Sequence, residues 1–265
     1  MSDLVKISIK NGVADVRLNR PDRYNSLSPK MFESVVSAGK SVAENRSIRA
    51  VVLSGEGKGF CAGLDFETFT KVASNGNSVL AEKTDGMYPN PFQNAAHIWR
   101  SLPIPVIAAI HGSAFGGGLQ IALGADIRLA RPDARLSVME IKWGLIPDMA
   151  GAQMLRDLVS IDVAKDLILT GKIVSGEEAQ VLGLVTRLCD NPLTEALKMA
   201  HEITQKSPDA IIAGKHLIET AWRSTLEEWL KLEEALQKSL LGSRNQIEAM
   251  TANFKKRAPN FQNPV

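Results

Sequence analysis

Two carboxylates eight residues apart, Glu140 and Asp148, lie in the stretch Val138-Met139-Glu140-Ile141-Lys142-Trp143-Gly144-Leu145-Ile146-Pro147-Asp148-Met149. Their neighbours are mostly apolar, and a carboxylate is seldom buried without a partner or a task. In a hydrophobic setting the charged form is disfavoured, so the pKa rises and the group is suited to carry a proton near neutral pH. A helix cap or a surface ion pair accounts for either residue equally well from sequence alone.

Two glycine-bearing stretches about fifty residues apart supply a second kind of chemistry: Gly57-Lys58-Gly59-Phe60-Cys61-Ala62-Gly63-Leu64-Asp65 and His111-Gly112-Ser113-Ala114-Phe115-Gly116-Gly117-Gly118-Leu119-Gln120. Each follows a short apolar run, Ala50–Leu53 and Ile104–Ile110, so each reads as a strand end turning into a bare-backbone loop. Glycine permits close approach of the main chain to a ligand. Two such turns can aim two backbone N–H groups at one carbonyl oxygen and stabilise a developing oxyanion. A helix starting near Gly117 adds its positive dipole end there. A triple glycine alone serves tight packing just as well; the pairing with the first loop points to carbonyl chemistry.

Other side chains are weaker candidates. His97, His111, His201 and His216 are scattered, and none lies beside a serine or cysteine in a nucleophile elbow. His111 reads as a packed, hydrogen-bonded residue, Cys61 as a small apolar filler, and Trp143 and Met149 as pocket wall or core. Cys61 and Cys189 are the two cysteines, too few for a disulfide scaffold, and neither has zinc spacing, so no metal is expected. A net charge of +2 and one small basic cluster, Lys255-Lys256-Arg257, argue against nucleic-acid binding. No targeting pattern or bilayer-length apolar run is present in the sequence, so a cytoplasmic protein is expected.

The elements that must position these residues follow from periodicity. Val5–Ile9 and Ala14–Leu18 alternate around Asn11-Gly12 and predict a hairpin. Ser28-Pro29 starts a helix to about Glu44, and further helices are expected over Phe92–Ser101 and Gly118–Leu123. Strands are expected at Ala50–Leu53, Ile104–Ile110 and Ala125–Ala130. Thr70–Pro91 is polar and weakly patterned, as mobile or functional loops often are. From about Asp162 the chain reads as almost wholly helical, with Leu226–Leu241 strongly amphipathic. The expected fold class is α/β, with a core over residues 1–195 and a helical region over 196–265, to which oligomerisation and pocket closure are assigned as expectations.

Taken together, these segments resemble the crotonase (enoyl-CoA hydratase/isomerase) superfamily, as do Leu18-Asn19-Arg20-Pro21-Asp22-Arg23-Tyr24-Asn25-Ser26-Leu27 and Phe254-Lys255-Lys256-Arg257 at the two ends. The resemblance spans essentially the whole chain. It implies a spiral of ββα units, a C-terminal trimerisation region, homotrimers or hexamers, and an acyl-CoA thioester as substrate, with no other cofactor. It implies an oxyanion hole made by the N–H groups of Leu64 and Gly117, with Gly116 and Gln120 in the substrate pocket. Arg23, Ala62, Leu64 and Lys256 become candidates for binding CoA.

The departures concern catalysis. Typical enoyl-CoA hydratases carry two glutamates around one water; the second falls at Glu140, but Gln120 occupies the first position. An amide can hold a water but cannot exchange its proton. Asp148 stands where ordinary hydratases usually have glycine, as in dienoyl-CoA isomerases, 3-hydroxyisobutyryl-CoA hydrolases and aryl-CoA dehalogenases. Double-bond isomerisation is therefore expected slightly ahead of hydration. A hydrolase or dehalogenase using Asp148, and a degraded acyl-CoA-binding member, are the alternatives. Losing a single oxyanion donor typically costs about 3–4 kcal/mol of transition-state stabilisation, so the hole should outweigh any one side-chain contact.

Overall fold

The computed structural model of the chain describes residues 4–65, 68 and 89–264, and most of the irregular stretch Thr70–Pro91 lies outside them. Strands β1 (Val5–Lys10) and β2 (Val13–Leu18) pair antiparallel around Asn11 and Gly12, both with positive φ (51° and 78°) as a two-residue hairpin turn requires. Helix α1 (Pro29–Glu44) begins where the Ser28 hydroxyl accepts the Met31 N–H, and it buries Met31, Phe32, Val35 and Val42.

Strand β3 (Ala50–Gly55) lies parallel to β2 and buries every residue. Helix α2 (Pro91–Ser101) packs on α1, and β4 (Val106–Ile110) joins β3. The strand predicted from Ile104 begins at Val106, because Pro105 has no N–H for the ladder and uses only its carbonyl, toward Val51.

Three short elements follow: β5 (Ser113–Phe115), helix α3 (Gly117–Leu123) and β6 (Ile127–Ala130). Beyond them come β7 (Arg135–Ser137), α4 (Gly151–Arg156), α5 (Ile161–Thr170), β8 (Val174–Ser175), α6 (Gly176–Leu182) and β9 (Arg187–Leu188). The large sheet runs β1-β2-β3-β4-β6-β9, parallel from β2 onward, and β5-β7-β8 form a second, three-stranded sheet. Thus β8 and β9 interrupt the region expected to be almost wholly helical. They are two residues each, too short to leave a periodicity in the sequence.

Four helices close the chain: α7 (Pro192–Thr204), α8 (Pro208–Ala221), α9 (Leu226–Leu240) and α10 (Arg244–Phe254). The period-two alternation of the strands splits the apolar residues between two faces. Val16, Val51, Leu53, Ala108 and Ile110 face the main core with α1 and α2. Val13, Ala50, Val52, Ile107 and Leu129 meet Ala196 and Ala200 of α7. Burial on both faces is what a parallel sheet demands, and it makes the C-terminal ends of β3 and β4 rigid supports for the loops that follow.

Candidate active site

The two glycine loops meet. Cys61 pairs with Ala114 in a parallel bridge, with the Cys61 N–H donating to Ser113 O (3.0 Å) and the Phe115 N–H to Cys61 O (3.0 Å). Side chains would keep the loops apart: a Cβ on Gly118 would stand 2.4 Å from Cys61 O, inside any real contact. On its other side the first loop pairs with Leu27, through Gly63 O (2.7 Å) and the Asp65 N–H (3.1 Å).

This pairing uses the groups flanking Leu64 and leaves its own N–H uncommitted. Among the described residues, neither Leu64 N–H nor Gly117 N–H donates to a protein acceptor. They are near each other, since a Cβ on Gly63 would lie 3.7 Å from Gly117 N. Gly117 is also the first residue of α3, where a helix N–H has no partner within the helix.

Behind the second loop stands Glu140, the first residue of a 3-10 turn, Glu140–Trp143, capped by Gly144 in the left-handed region (φ 70°). Its carboxyl backs onto Gly116, where a Cβ would lie 3.3 Å from Oε1. Glu140 Oε1 accepts from Gln120 Nε2 at 2.6 Å, while Oε2 is buried without a hydrogen-bond partner. Burial pushes the Glu140 carboxyl above its ordinary range; the Gln120 bond pulls it down and the charge of Asp148 adds a smaller upward push. Gln120, itself fully buried, accepts at Oε1 from the N–H groups of Met149 and Gly151, both at 2.9 Å. Those two donors fix the amide orientation, so Nε2 must face Glu140.

Asp148 lies on the same loop, exposed by surface area, yet the protein around it still lifts its carboxyl above the usual range. Leu145, Ile146, Ile141 and Trp143, around the same turn, are exposed, and Met149 is buried against Gly117. The structure therefore brings Leu64, Gly116, Gly117, Gln120, Glu140 and Asp148 into one neighbourhood.

The remaining candidates are placed separately. Ala62 is half-buried, and its N–H is used by Tyr24 O (2.9 Å). Arg23, just before Tyr24, is exposed and makes no side-chain hydrogen bond or ion pair among the described residues. The same holds for Lys256, which follows α10 with a left-handed backbone (φ 49°). His111 is half-buried, with Nε2 3.0 Å from Gly57 O. Cys61 is buried, its Sγ 3.1 Å from Asn25 O, and burial pushes its pKa up to about 12, the state of an inert filler.

Sequence reasoning missed the bracing of the first loop. Asn25, fully buried, sends Nδ2 to the carbonyls of Glu56, Gly59 and Phe60 (2.9, 2.9 and 3.1 Å), and its Oδ1 accepts the Arg20 N–H (2.8 Å). Arg20 pairs with Asp65 (2.7 Å), which also accepts the Ser26 hydroxyl (3.1 Å). The signal lay in the polar cluster at 19–26, within the Leu18–Leu27 motif that carries the family resemblance, but the motif did not show which carbonyls it braces.

On this α/β frame, two backbone N–H groups with no protein acceptor among the described residues stand near a buried carboxyl. The enoyl-CoA hydratase/isomerase family model matches residues 8–264, and the chain belongs to that family, within the crotonase superfamily. A Mycobacterium bovis protein named "Probable enoyl-CoA hydratase echA8" is 34% identical over 255 residues, covering 94% of each chain. The human mitochondrial methylglutaconyl-CoA hydratase is 30% identical over 258 residues, 95% of this chain and 74% of that one. The crystal structure of an enoyl-CoA hydratase from Bacillus anthracis superposes with a TM-score of 0.90 at 28% identity, covering 98% of this chain and 100% of that one. The fold is therefore the crotonase fold, with its helical C-terminal region.

Proposed function

We propose that this member of the family converts an acyl-CoA thioester to its enolate and moves a proton, isomerising the double bond of a 3-enoyl-CoA. The thioester oxygen would sit between the Leu64 and Gly117 N–H groups. A carboxylate would take the proton from C2, the C–H electron pair would pass through the π system onto the thioester oxygen, and reprotonation at C4 would give the conjugated 2-enoyl-CoA. One observation carries the reading: Glu140 Oε2 is buried and unpartnered, on a carboxyl that backs onto the second glycine loop. Asp148, lifted in the same direction, is the second proton carrier.

Gln120 supports isomerisation over hydration, because both lone pairs of its amide oxygen are taken by Met149 and Gly151, leaving that oxygen no role in holding a water. The hydratase names of the relatives support a second reading, in which Glu140 with Asp148 adds water to a 2-enoyl-CoA. Arg23, Ala62 and Lys256 are assigned to the CoA moiety on the family resemblance alone. Exposed Trp222, Leu226, Leu230, Ile247 and Phe254 support oligomerisation through residues 196–265, which sedimentation would test.

The experiment is to supply crotonyl-CoA and a 3-enoyl-CoA to the wild type, Glu140→Gln and Asp148→Asn, following the conjugated thioester by absorbance. Appearance of that absorbance from the 3-enoyl-CoA, lost in Glu140→Gln, supports isomerisation. Loss of the crotonyl signal moves the assignment to hydration. Release of free CoA, or of halide from a haloaryl-CoA, through Asp148 assigns hydrolytic chemistry. Binding without turnover of any of these thioesters assigns a non-catalytic binding protein.

A further inference from the structure

We infer that Gln120 is a positioning residue that leaves Glu140 Oε2 as the single proton-carrying oxygen of the buried carboxyl and locks the Asp148-bearing loop to it. The inference rests on the proton-transfer reading above and adds to it which atom acts and what holds it. Gln120 is buried at the first turn of α3, and its amide spans two elements. Nε2 occupies Glu140 Oε1 at 2.6 Å and leaves Oε2 as the unpartnered oxygen, the one best placed to meet the next proton or substrate hydrogen.

At the other end Oε1 gathers the N–H groups of residues 149 and 151, which converge because Ala150 between them has φ +65°. A non-glycine residue there is strained, and two hydrogen bonds to one oxygen are what hold it. The fit is close: a Cβ on Gly151 would stand 2.6 Å from Gln120 Oε1. The backbone next to Asp148 is therefore tied to Glu140 through a neutral brace.

Neutrality matters. A glutamate at 120 could keep the bonds to Met149 and Gly151, but it would put a second acceptor where Nε2 now sits, 2.6 Å from Glu140 Oε1. Only a shared proton could bridge that gap, and the two acids would titrate as a coupled pair. With Gln120 in place, Asp148 is the one charged group acting appreciably on Glu140 among the described residues. Lys142 on the same turn lies over the Trp143 ring; Asp162, Lys165 and Asp166 of α5 and Arg156 of α4 are exposed. Helix α3 carries no titratable side chain.

The test reads Glu140 directly in the substrate-free protein. Infrared difference spectra against Glu140→Gln isolate its protonated-carboxyl band, which is followed with pH in the wild type, Gln120→Glu and Gln120→Met. Gln120→Glu should move the titration up by more than about one pH unit and split it into two steps. Gln120→Met should shift the band to higher frequency, because the carbonyl loses its donor. In D2O, Gln120→Met should slow C2 proton exchange of the 3-enoyl-CoA about 10- to 100-fold in kcat with KM little changed. An unchanged Glu140 band in both folded variants overturns the inference. If Gln120→Met does not fold, Gln120→Glu, which keeps the loop contacts, decides alone. If the band responds as expected while no thioester exchanges, the brace stands and the proton-transfer reading falls.

Discussion

Replacing Asn25 by alanine should cost about 4 kcal/mol, a large share of the stability of an ordinary domain. The amount is the sum of two separable parts. Asn25 Nδ2 faces three backbone carbonyls and Oδ1 holds the Arg20 N–H, all within 3.1 Å and shielded from water. Two amide hydrogens divide among three acceptors, so the side chain makes about three full hydrogen bonds in all, each contributing about 1 kcal/mol. Asn25 also has φ +56°, which asparagine tolerates and alanine does not, adding about 1 kcal/mol. Asn25→Gly removes the strain and keeps the lost bonds, so it should cost about 3 kcal/mol. Asn25→Asp should be worse than either, because it sets an anion against three carbonyl oxygens. Urea unfolding at one fixed protein concentration measures the series, and C2 proton exchange follows the displacement of Leu64. An Asn25→Ala protein within 0.5 kcal/mol of wild type, on the order of ordinary surface changes, would refute the reasoning. Equal losses for Asn25→Ala and Asn25→Gly would refute the strain part alone.

Four further outcomes are expected. Glu140 and Asp148 both have folded pKa values raised above their unfolded ones, so each favours folding below about pH 4 and that contribution is lost as pH rises through the folded value. Glu140→Gln should therefore be inactive yet more stable than wild type at pH 7–8, with the advantage gone near pH 4 in chemical unfolding; exposed Asp148→Asn should show the same sign more weakly. Gly118→Ala should lose both stability and C2 exchange, since its Cβ would meet Cys61 O at 2.4 Å, and unimpaired exchange would contradict the loop contact. Ala150→Gly should raise the unfolding free energy by up to about 1 kcal/mol, read as a higher urea midpoint, because glycine relieves the φ of +65°. A thiol reagent at pH 8 should leave Cys61 unmodified until the protein unfolds, as its pKa of about 12 requires.

The parts of the fold legible in the sequence were those with local signals. The hairpin at Asn11-Gly12, the helix after Ser28-Pro29 and the amphipathic Leu226–Leu240 helix each carry a turn, a cap or a long apolar period. Short strands such as β8 and β9 are defined by the partners they reach, which no local pattern records. Gln120 and Glu140 stood out as residue types at telling positions, but their contact joins a helix to a distant turn, and the Met149 and Gly151 amides are invisible to side-chain reading. Asn25 lies in the Leu18–Leu27 motif, but its bracing role escaped notice for the same reason, since its acceptors are carbonyls more than thirty residues away.

The parallel bridge between Cys61 and Ala114 has a consequence for how such a protein can diverge. The amides it brings together belong to the main chain, so among single substitutions only a change to proline deletes one outright. A lineage can therefore rewrite the side chains at 120, 140 and 148 without displacing the two amides beside them. Drift in reaction type becomes cheap, while drift in the glycines that let the strands touch stays costly. Inherited variation should accordingly concentrate in the acids and amides facing the pocket, and the bare backbone between them should be the slowest part to change.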